Sequence, residues 1–219
     1  MFQTLFTDSP DFSYFLFTTI PGQVIQVIPF VLLVGLIDSL IRFLRIKRGN
    51  ITSYRIGNEV VKTLLVCYFA GLFALVWVPP RFWSYLWHMA ILGWYDPGAG
   101  SGPLFTWSFH FVPSLYQWIV GDLTLGSWVR TMLGGNVLMF LPFGFLVPFV
   151  LKRSTLFRVM KLALLTTLVI EIVQPFLGRS FDVDDLICNL LGAFLGYLLF
   201  VLLRAFFPNL VKLCSRIVE

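Results

Sequence analysis

The stretch "EIVQPFLGRSFDVDDLICNLLGAFLGY", residues 171–197, ends one apolar segment and begins another, with a run of charged and amide side chains between them. Such a run stands out because only 12% of the 219 residues are charged, whereas 58% are hydrophobic and the mean hydropathy is +0.86. A water-soluble domain of this length could not cover so much apolar surface. The composition therefore predicts an integral membrane protein.

Apolar segments long enough to cross a bilayer, which takes about 20 residues each, occur five times. The chain is predicted to be an all-α polytopic transmembrane bundle with about five spans, at 20–43, 60–78, 133–150, 162–176 and 186–207. We divide it into an N-terminal membrane region (1–132), a three-span core (133–207) and a cytoplasmic tail (208–219).

Basic residues orient these spans. Thirteen of the sixteen lysines and arginines flank alternate connections, around 42–62, 152–161 and 204–216, and so fall on one side of the membrane. The positive-inside rule makes that side cytoplasmic, which leaves the N-terminus outside and the C-terminus inside. Basic residues grouped in this way indicate membrane orientation, and we predict no nucleic-acid partner.

A long connection, 79–131, holds most of the tryptophans. Tryptophan and tyrosine favour the headgroup region, so we predict an external aromatic-rich loop with short interfacial helices near 81–93 and 113–121. Two interpretations stay open for it. The loop is either an aromatic anchor belt or a lid over an external cleft.

Polar side chains recur at helical spacing on both sides of the quoted loop. One stripe holds Thr167, Glu171, Gln174 and Gly178, and a second holds Asp185, Asn189, Gly192 and Gly196. Residues three and four apart share a helix face, so we expect the two stripes to meet. The Gly192–Gly196 spacing allows close approach of helix backbones.

Glu171 is the residue for which a functional role is favoured, because a carboxylate at membrane depth is costly unless it faces protein or water. Arg179 is expected to pair with Glu171 or with an aspartate of the loop, Asp182, Asp184 or Asp185. The structural alternative is that Asp182 or Asp184 caps the last helix.

The third span adds Asn136, which can hydrogen-bond between helices, and Pro142, which is expected to kink the helix and open space inside. Asn136, Gln174 and Asn189 can equally serve as interhelical hydrogen bonds without further function. Asp38 stands one turn before Arg42, and we predict a structural ion pair there.

Metal-binding patterns are weak. Neither His88 nor His110 stands at ligand spacing from another ligand residue, and the "DVDD" run at 182–185 has no second carboxylate motif. We predict no metal and no cofactor.

Two blocks of the sequence carry a family resemblance: "NVLMFLPFGFLVP" at 136–148 and the stretch at 171–197 quoted above. Together they resemble the VanZ-like family of bacterial membrane proteins, named for a protein that lowers susceptibility to teicoplanin. The residues that match its pattern are Asn136, Pro142, Gly144, Glu171, Gln174, Arg179, Asp182, Asp185, Asn189, Gly192 and Gly196. The resemblance implies a small bundle in the bacterial plasma membrane, linked to the cell envelope and sometimes to lipoglycopeptide resistance.

Placement of the polar residues then suggests a function. We expect an amphiphilic ligand, either a lipid-linked cell-wall precursor or the acyl tail of a lipoglycopeptide, in an outward-facing cleft between the last three spans, with membrane lipids as the other partners. One alternative is an enzyme acting on lipid headgroups, with a carboxylate as general base. Another is a small proton-coupled transporter that uses Glu171 as the carrier.

Overall fold

The computed structural model describes residues 20–49, 54–92, 109–113, 116–117, 120, 127–177 and 179–215. The all-α prediction is confirmed, and the strands are only two residues long. The helices are α1 (Ile20–Lys47), α2 (Ile56–Val76), α3 (Pro80–Leu92), α4 (Ser127–Val150), α5 (Leu156–Val173), α6 (Val183–Phe206) and α7 (Pro208–Cys214). A 3₁₀ turn (Gln174–Leu177) follows α5, and a short parallel pair joins β1 (Phe109–His110) to β2 (Phe181–Asp182).

Four of the described helices are long and apolar enough to cross a membrane: Pro21–Lys47, Ile56–Val76, Leu133–Val150 and Val183–Phe206. The fifth predicted span, α5, has 18 residues but carries Arg158, Lys161 and Glu171. It nevertheless runs antiparallel to α6: the Ser154 carbonyl, just before α5, accepts from the Tyr197 hydroxyl, and Glu171 accepts from the Asp182 N–H. The α5 helix therefore lies alongside α6, and the described residues hold four candidate spans where the sequence predicts about five.

Helices α4 and α6 form the closest pair in the bundle. A Cβ built on Gly144 would overlap the carbonyl of Ala193, and one on Gly196 would overlap that of Leu141. Gly192 is equally tight against the Val137 carbonyl. Glycine is required here because backbone approaches backbone. Both glycines of the Gly192–Gly196 spacing face α4.

The predicted aromatic helix at 81–93 is found as α3, and it is held by two tryptophans. Trp83 is buried and donates its indole N–H to the Ala74 carbonyl, and Trp87 donates to the Gln26 carbonyl, each at 2.9 Å. These bonds dock α3 on α1 and α2. The second predicted helix, 113–121, lies largely outside the described residues, although the Gln117 N–H donates to the Pro113 carbonyl as in a helical turn.

Basic residues collect at one end of the bundle, where α1 ends, α2 begins and α7 packs. The predicted Asp38–Arg42 pair is confirmed at 2.6 Å, and Arg42 also reaches Glu59 at 3.2 Å. Asn58 donates to the Cys214 carbonyl, which ties α7 to α2. We call this the basic end, and the opposite end, which carries Glu171 and the 179–185 loop, the polar end.

Candidate functional site

Glu171 lies on the last turn of α5 and is fully buried. The 3₁₀ turn that follows, with Pro175 in it, ends the α-helix and lets the chain return over it as β2. The returning backbone N–H of Asp182 then donates to Oε2 of Glu171 at 3.0 Å. The carboxylate is thus held away from lipid by its own loop.

Two side-chain hydrogen bonds join the three core helices beside Glu171. Asn189 of α6 donates to the Thr167 hydroxyl of α5 at 2.7 Å, and Asn136 of α4 donates to the Asp185 carboxylate of α6. The two polar stripes predicted from the sequence therefore meet, and α4 joins them. We call this group the polar seam: Asn136, Thr167, Glu171, Gln174, Asp185 and Asn189.

The polar seam is rich in buried acceptors that the described residues do not satisfy. Oε1 of Glu171, Oε1 of Gln174 and Oδ1 of Asn189 are all buried, and none has a hydrogen-bond partner in the described part of the chain. Each unsatisfied acceptor costs about 1 to 3 kcal/mol when it is shut off from water. Three such atoms, on α5, on the 3₁₀ turn and on α6, indicate a place where a donor from elsewhere would be stabilising.

Arg179 lies beside the seam and contacts the end of α2, which the sequence did not predict. Its Nη1 donates to the carbonyl of Val76 at 3.1 Å and lies 3.5 Å from that of Leu75, at the end of α2. The last carbonyls of a helix lack intrahelical donors and carry the negative end of its dipole, which explains why a guanidinium binds there. The pairing of Arg179 with a carboxylate stays a prediction, and the contact seen here is with the end of a helix.

Asp182 has the capping role that the sequence left open. It is the N-cap of α6, and its Oδ1 accepts from the Asp184 N–H at 2.9 Å. Its other carboxylate oxygen lies 4.0 Å from Nδ1 of His110. Partial burial raises the pKa of the Asp182 carboxyl.

His110 is the residue of this site that sequence reasoning missed. It reaches Asp182 because β1 pairs in parallel with β2, with Phe109 opposite Phe181 and His110 opposite Asp182. Two residues about seventy positions apart gave no spacing signal. The strand pair also brings the rings of Phe111 and Phe181 together, with centroids 5.7 Å apart, so the aromatic segment contacts the acidic loop directly.

The remaining predicted residues have structural positions. Helix α4 continues through Pro142, and Gly144 two residues later makes the close contact with α6. Among the described residues no group of three His, Cys, Asp or Glu side chains could hold a metal ion.

A helical bundle with long apolar spans and a buried polar seam at one end defines a polytopic α-helical membrane protein. Residues 65–204 match the family model described as VanZ/LLP1, which covers more than half of the 219-residue chain. The chain belongs to the VanZ/LLP1 family. No curated protein and no solved structure matches it. The match begins inside α2 and includes the aromatic connection, so the family pattern is wider than the two blocks, 136–197, that carried the resemblance in the sequence.

Proposed function

We propose that this VanZ-like protein resides in the bacterial plasma membrane and binds the polar head of an amphiphilic ligand in the polar seam, thereby lowering susceptibility to lipoglycopeptide antibiotics. The ligand is a lipid-linked cell-wall precursor or the antibiotic itself. Family membership supports a membrane protein linked to antibiotic resistance. The binding role is our own inference from the site.

The observation that carries this proposal is the set of three buried acceptor oxygens on Glu171, Gln174 and Asn189. Sugar hydroxyls and ammonium groups are donors, and both candidate ligands carry such groups. A site that holds acceptors in place recognises donors strongly, because a ligand without them would leave the acceptors unpaired. When ionised, Glu171 adds a negative charge, which strengthens any hydrogen bond that it accepts.

The proposed orientation follows from the basic end. Because Arg42, Arg55, Lys152 and Arg204 lie at or beside the end opposite Glu171, the positive-inside rule turns the polar seam outward, with the N-terminus outside and the C-terminus in the cytoplasm. An outward seam is accessible to wall precursors and to antibiotics that act outside the cell.

The test compares Glu171→Gln and Arg179→Gln with the matched control Ile172→Leu, which changes a lipid-exposed neighbour of Glu171. Each variant is expressed in a susceptible host, its amount in the membrane is measured, and the teicoplanin concentration that stops growth is determined. We expect the first two to return susceptibility toward that of the empty vector and the control to keep the protection. Full protection with both Glu171→Gln and Arg179→Gln at normal protein level would exclude the proposal.

A second function is favoured by one contact, His110 beside Asp182. An imidazole and a carboxyl of raised pKa can pass a proton to and from a lipid headgroup, which is the general acid–base chemistry of an enzyme. Purified protein incubated with polyisoprenyl-linked precursors would then yield a new product that His110→Gln abolishes. A product formed equally well by that variant, or no product at all, would exclude this pair as the catalyst.

A further inference from the structure

An apolar crevice opens between α2 and α5, directly below the polar end. Its volume is about 340 Å³, within the range of small-molecule sites. We call it the α2–α5 crevice, and its walls are Phe69, Leu72, Phe73, Val76, Trp77, Leu165, Thr166, Val169 and Ile170.

Position decides what the crevice can hold. Both walls belong to helices that run from the basic end to the polar end. The wall residues lie in the second half of each helix, so the crevice is in the half of the bundle nearest the polar seam. Along α2 it extends from Phe69 to Trp77, about 12 Å at the rise of an α-helix. Val169 is 52% exposed, and Phe73 and Leu165 are exposed as well, so the crevice opens sideways toward lipid.

Polar contacts mark one end of the crevice. Val76, a wall residue, has its carbonyl bound by Arg179. Trp77, the wall residue next to it, has a buried indole N–H without a hydrogen-bond partner among the described residues. Ile170, another wall residue, precedes Glu171 in the chain, so the crevice ends close to the polar seam. A positive charge and an N–H donor at the mouth of an apolar channel are complementary to an anionic headgroup on a hydrocarbon chain.

We propose that the α2–α5 crevice holds the hydrocarbon tail of a phosphate-headed membrane lipid, whose phosphate is bound beside Arg179 and Trp77. This inference rests on the proposed function, in which the rest of the head enters the polar seam. It narrows the ligand to a phosphate-linked lipid. A lipoglycopeptide tail would place no phosphate there.

The experiment uses a photoreactive benzophenone amino acid in place of Val169, with Ile172 as the matched position on the same helix, 58% exposed and outside the crevice. Each protein is reconstituted in phosphatidylcholine nanodiscs containing a small fraction of a polyisoprenyl phosphate, irradiated, and analysed for the mass of the cross-linked lipid. At 169 we expect the phosphate lipid to be enriched about fivefold over its share of the bilayer, the ratio expected from one arginine beside an anionic headgroup. At 172 the adducts should follow bilayer composition.

The variant Arg179→Gln tests whether the phosphate head, and not the hydrocarbon tail alone, selects the lipid. In that background the enrichment at 169 should vanish while the adducts at 172 stay unchanged. The proposal would be overturned if the adducts at 169 followed bilayer composition, or if the enrichment survived Arg179→Gln. It would also be overturned if teicoplanin displaced the lipid adducts at 169 and none of them contained the phosphate lipid.

The two proposals fail separately. If the phosphate lipid is enriched at 169 but teicoplanin protection does not depend on Glu171, only the proposed function is excluded. If protection depends on Glu171 but the phosphate lipid is not enriched at 169, only the proposal for the α2–α5 crevice is excluded.

Discussion

At the basic end of the bundle Asp38 accepts from Arg42 and Thr63, and Glu59 accepts from Arg42 and Lys62, so each carboxylate has two side-chain donors. At the polar end Glu171 is more deeply buried and accepts one described hydrogen bond, through one of its two oxygens. Charges closed into a network stabilise the fold, whereas a buried carboxylate with an unused oxygen costs stability. The basic end therefore stabilises the fold, and the unused oxygen at the polar end supports the proposal that this end binds a ligand.

The close contact between α4 and α6 holds the basic end and the polar end in one bundle. Gly144→Ala would drive a methyl group into the Ala193 backbone, which cannot move aside as a side chain could. We expect the largest loss of stability here, at least about 3 kcal/mol, the upper range for overpacking. Thermal unfolding of the purified protein in detergent measures it.

Gly135→Ala on the same helix is the matched control, because a Cβ at that position meets nothing within 4 Å. Alanine also favours helix by up to about 1 kcal/mol over glycine. Equal unfolding midpoints for the two variants would mean that the close α4–α6 approach does not hold the bundle together.

Asp38→Asn tests the closed network. The variant weakens the hydrogen bonds from both Arg42 and Thr63 and leaves the guanidinium with Glu59 alone. We expect a loss of about 1.5 to 3 kcal/mol, the usual worth of hydrogen bonds to a charged group, while teicoplanin protection by the protein that still folds is unchanged. Lost protection at normal protein level would show that the basic end also takes part in function.

Glu171→Gln should give the opposite result to Asp38→Asn, namely retained stability and lost protection. Glutamine keeps an oxygen for the Asp182 N–H and removes the ionisable carboxyl, which is buried with one oxygen unpaired among the described residues. We expect the unfolding midpoint to stay equal or rise, with a change within about 1 kcal/mol, while protection is lost. A strong loss of stability would mean that the charge of Glu171 is structural, as at Asp38.

The sequence predicts some of this arrangement and not the rest, for physical reasons. Hydropathy locates the long helices because lipid selects apolar side chains over a whole span, and helical spacing brings Asn189 to Thr167. The contact of Arg179 with the end of α2 has no sequence signal, since its partners are backbone carbonyls that every residue possesses. The pairing of His110 with Asp182 depends on a two-residue strand contact across a long connection. Helical spacing also places Gly192 and Gly196 on one stripe without telling which neighbouring helix that stripe faces.

The smallest expected effect concerns Asp182, at the surface of the polar end. Asp182→Asn keeps the α6 cap, since asparagine caps about as well as aspartate, and removes the titrating carboxyl. Because partial burial raises the pKa of this carboxyl in the folded protein, the folded state binds its proton more tightly than the unfolded chain does. Its contribution to stability is therefore present at low pH and is lost as pH rises above about 4, the ordinary value for aspartate, and through the folded pKa.

Unfolding midpoints of the natural protein and Asp182→Asn, measured between about pH 4 and pH 7, check this sign. The midpoint of the natural protein minus that of the variant should fall as pH rises. The fall should be larger in a His110→Gln background, because a protonated imidazole nearby lowers the pKa of Asp182 and that background removes it. A difference that rises with pH would mean that the carboxylate form is stabilised in the fold. The polar end would then contain a satisfied charge like those of the basic end, and its loop would be structural.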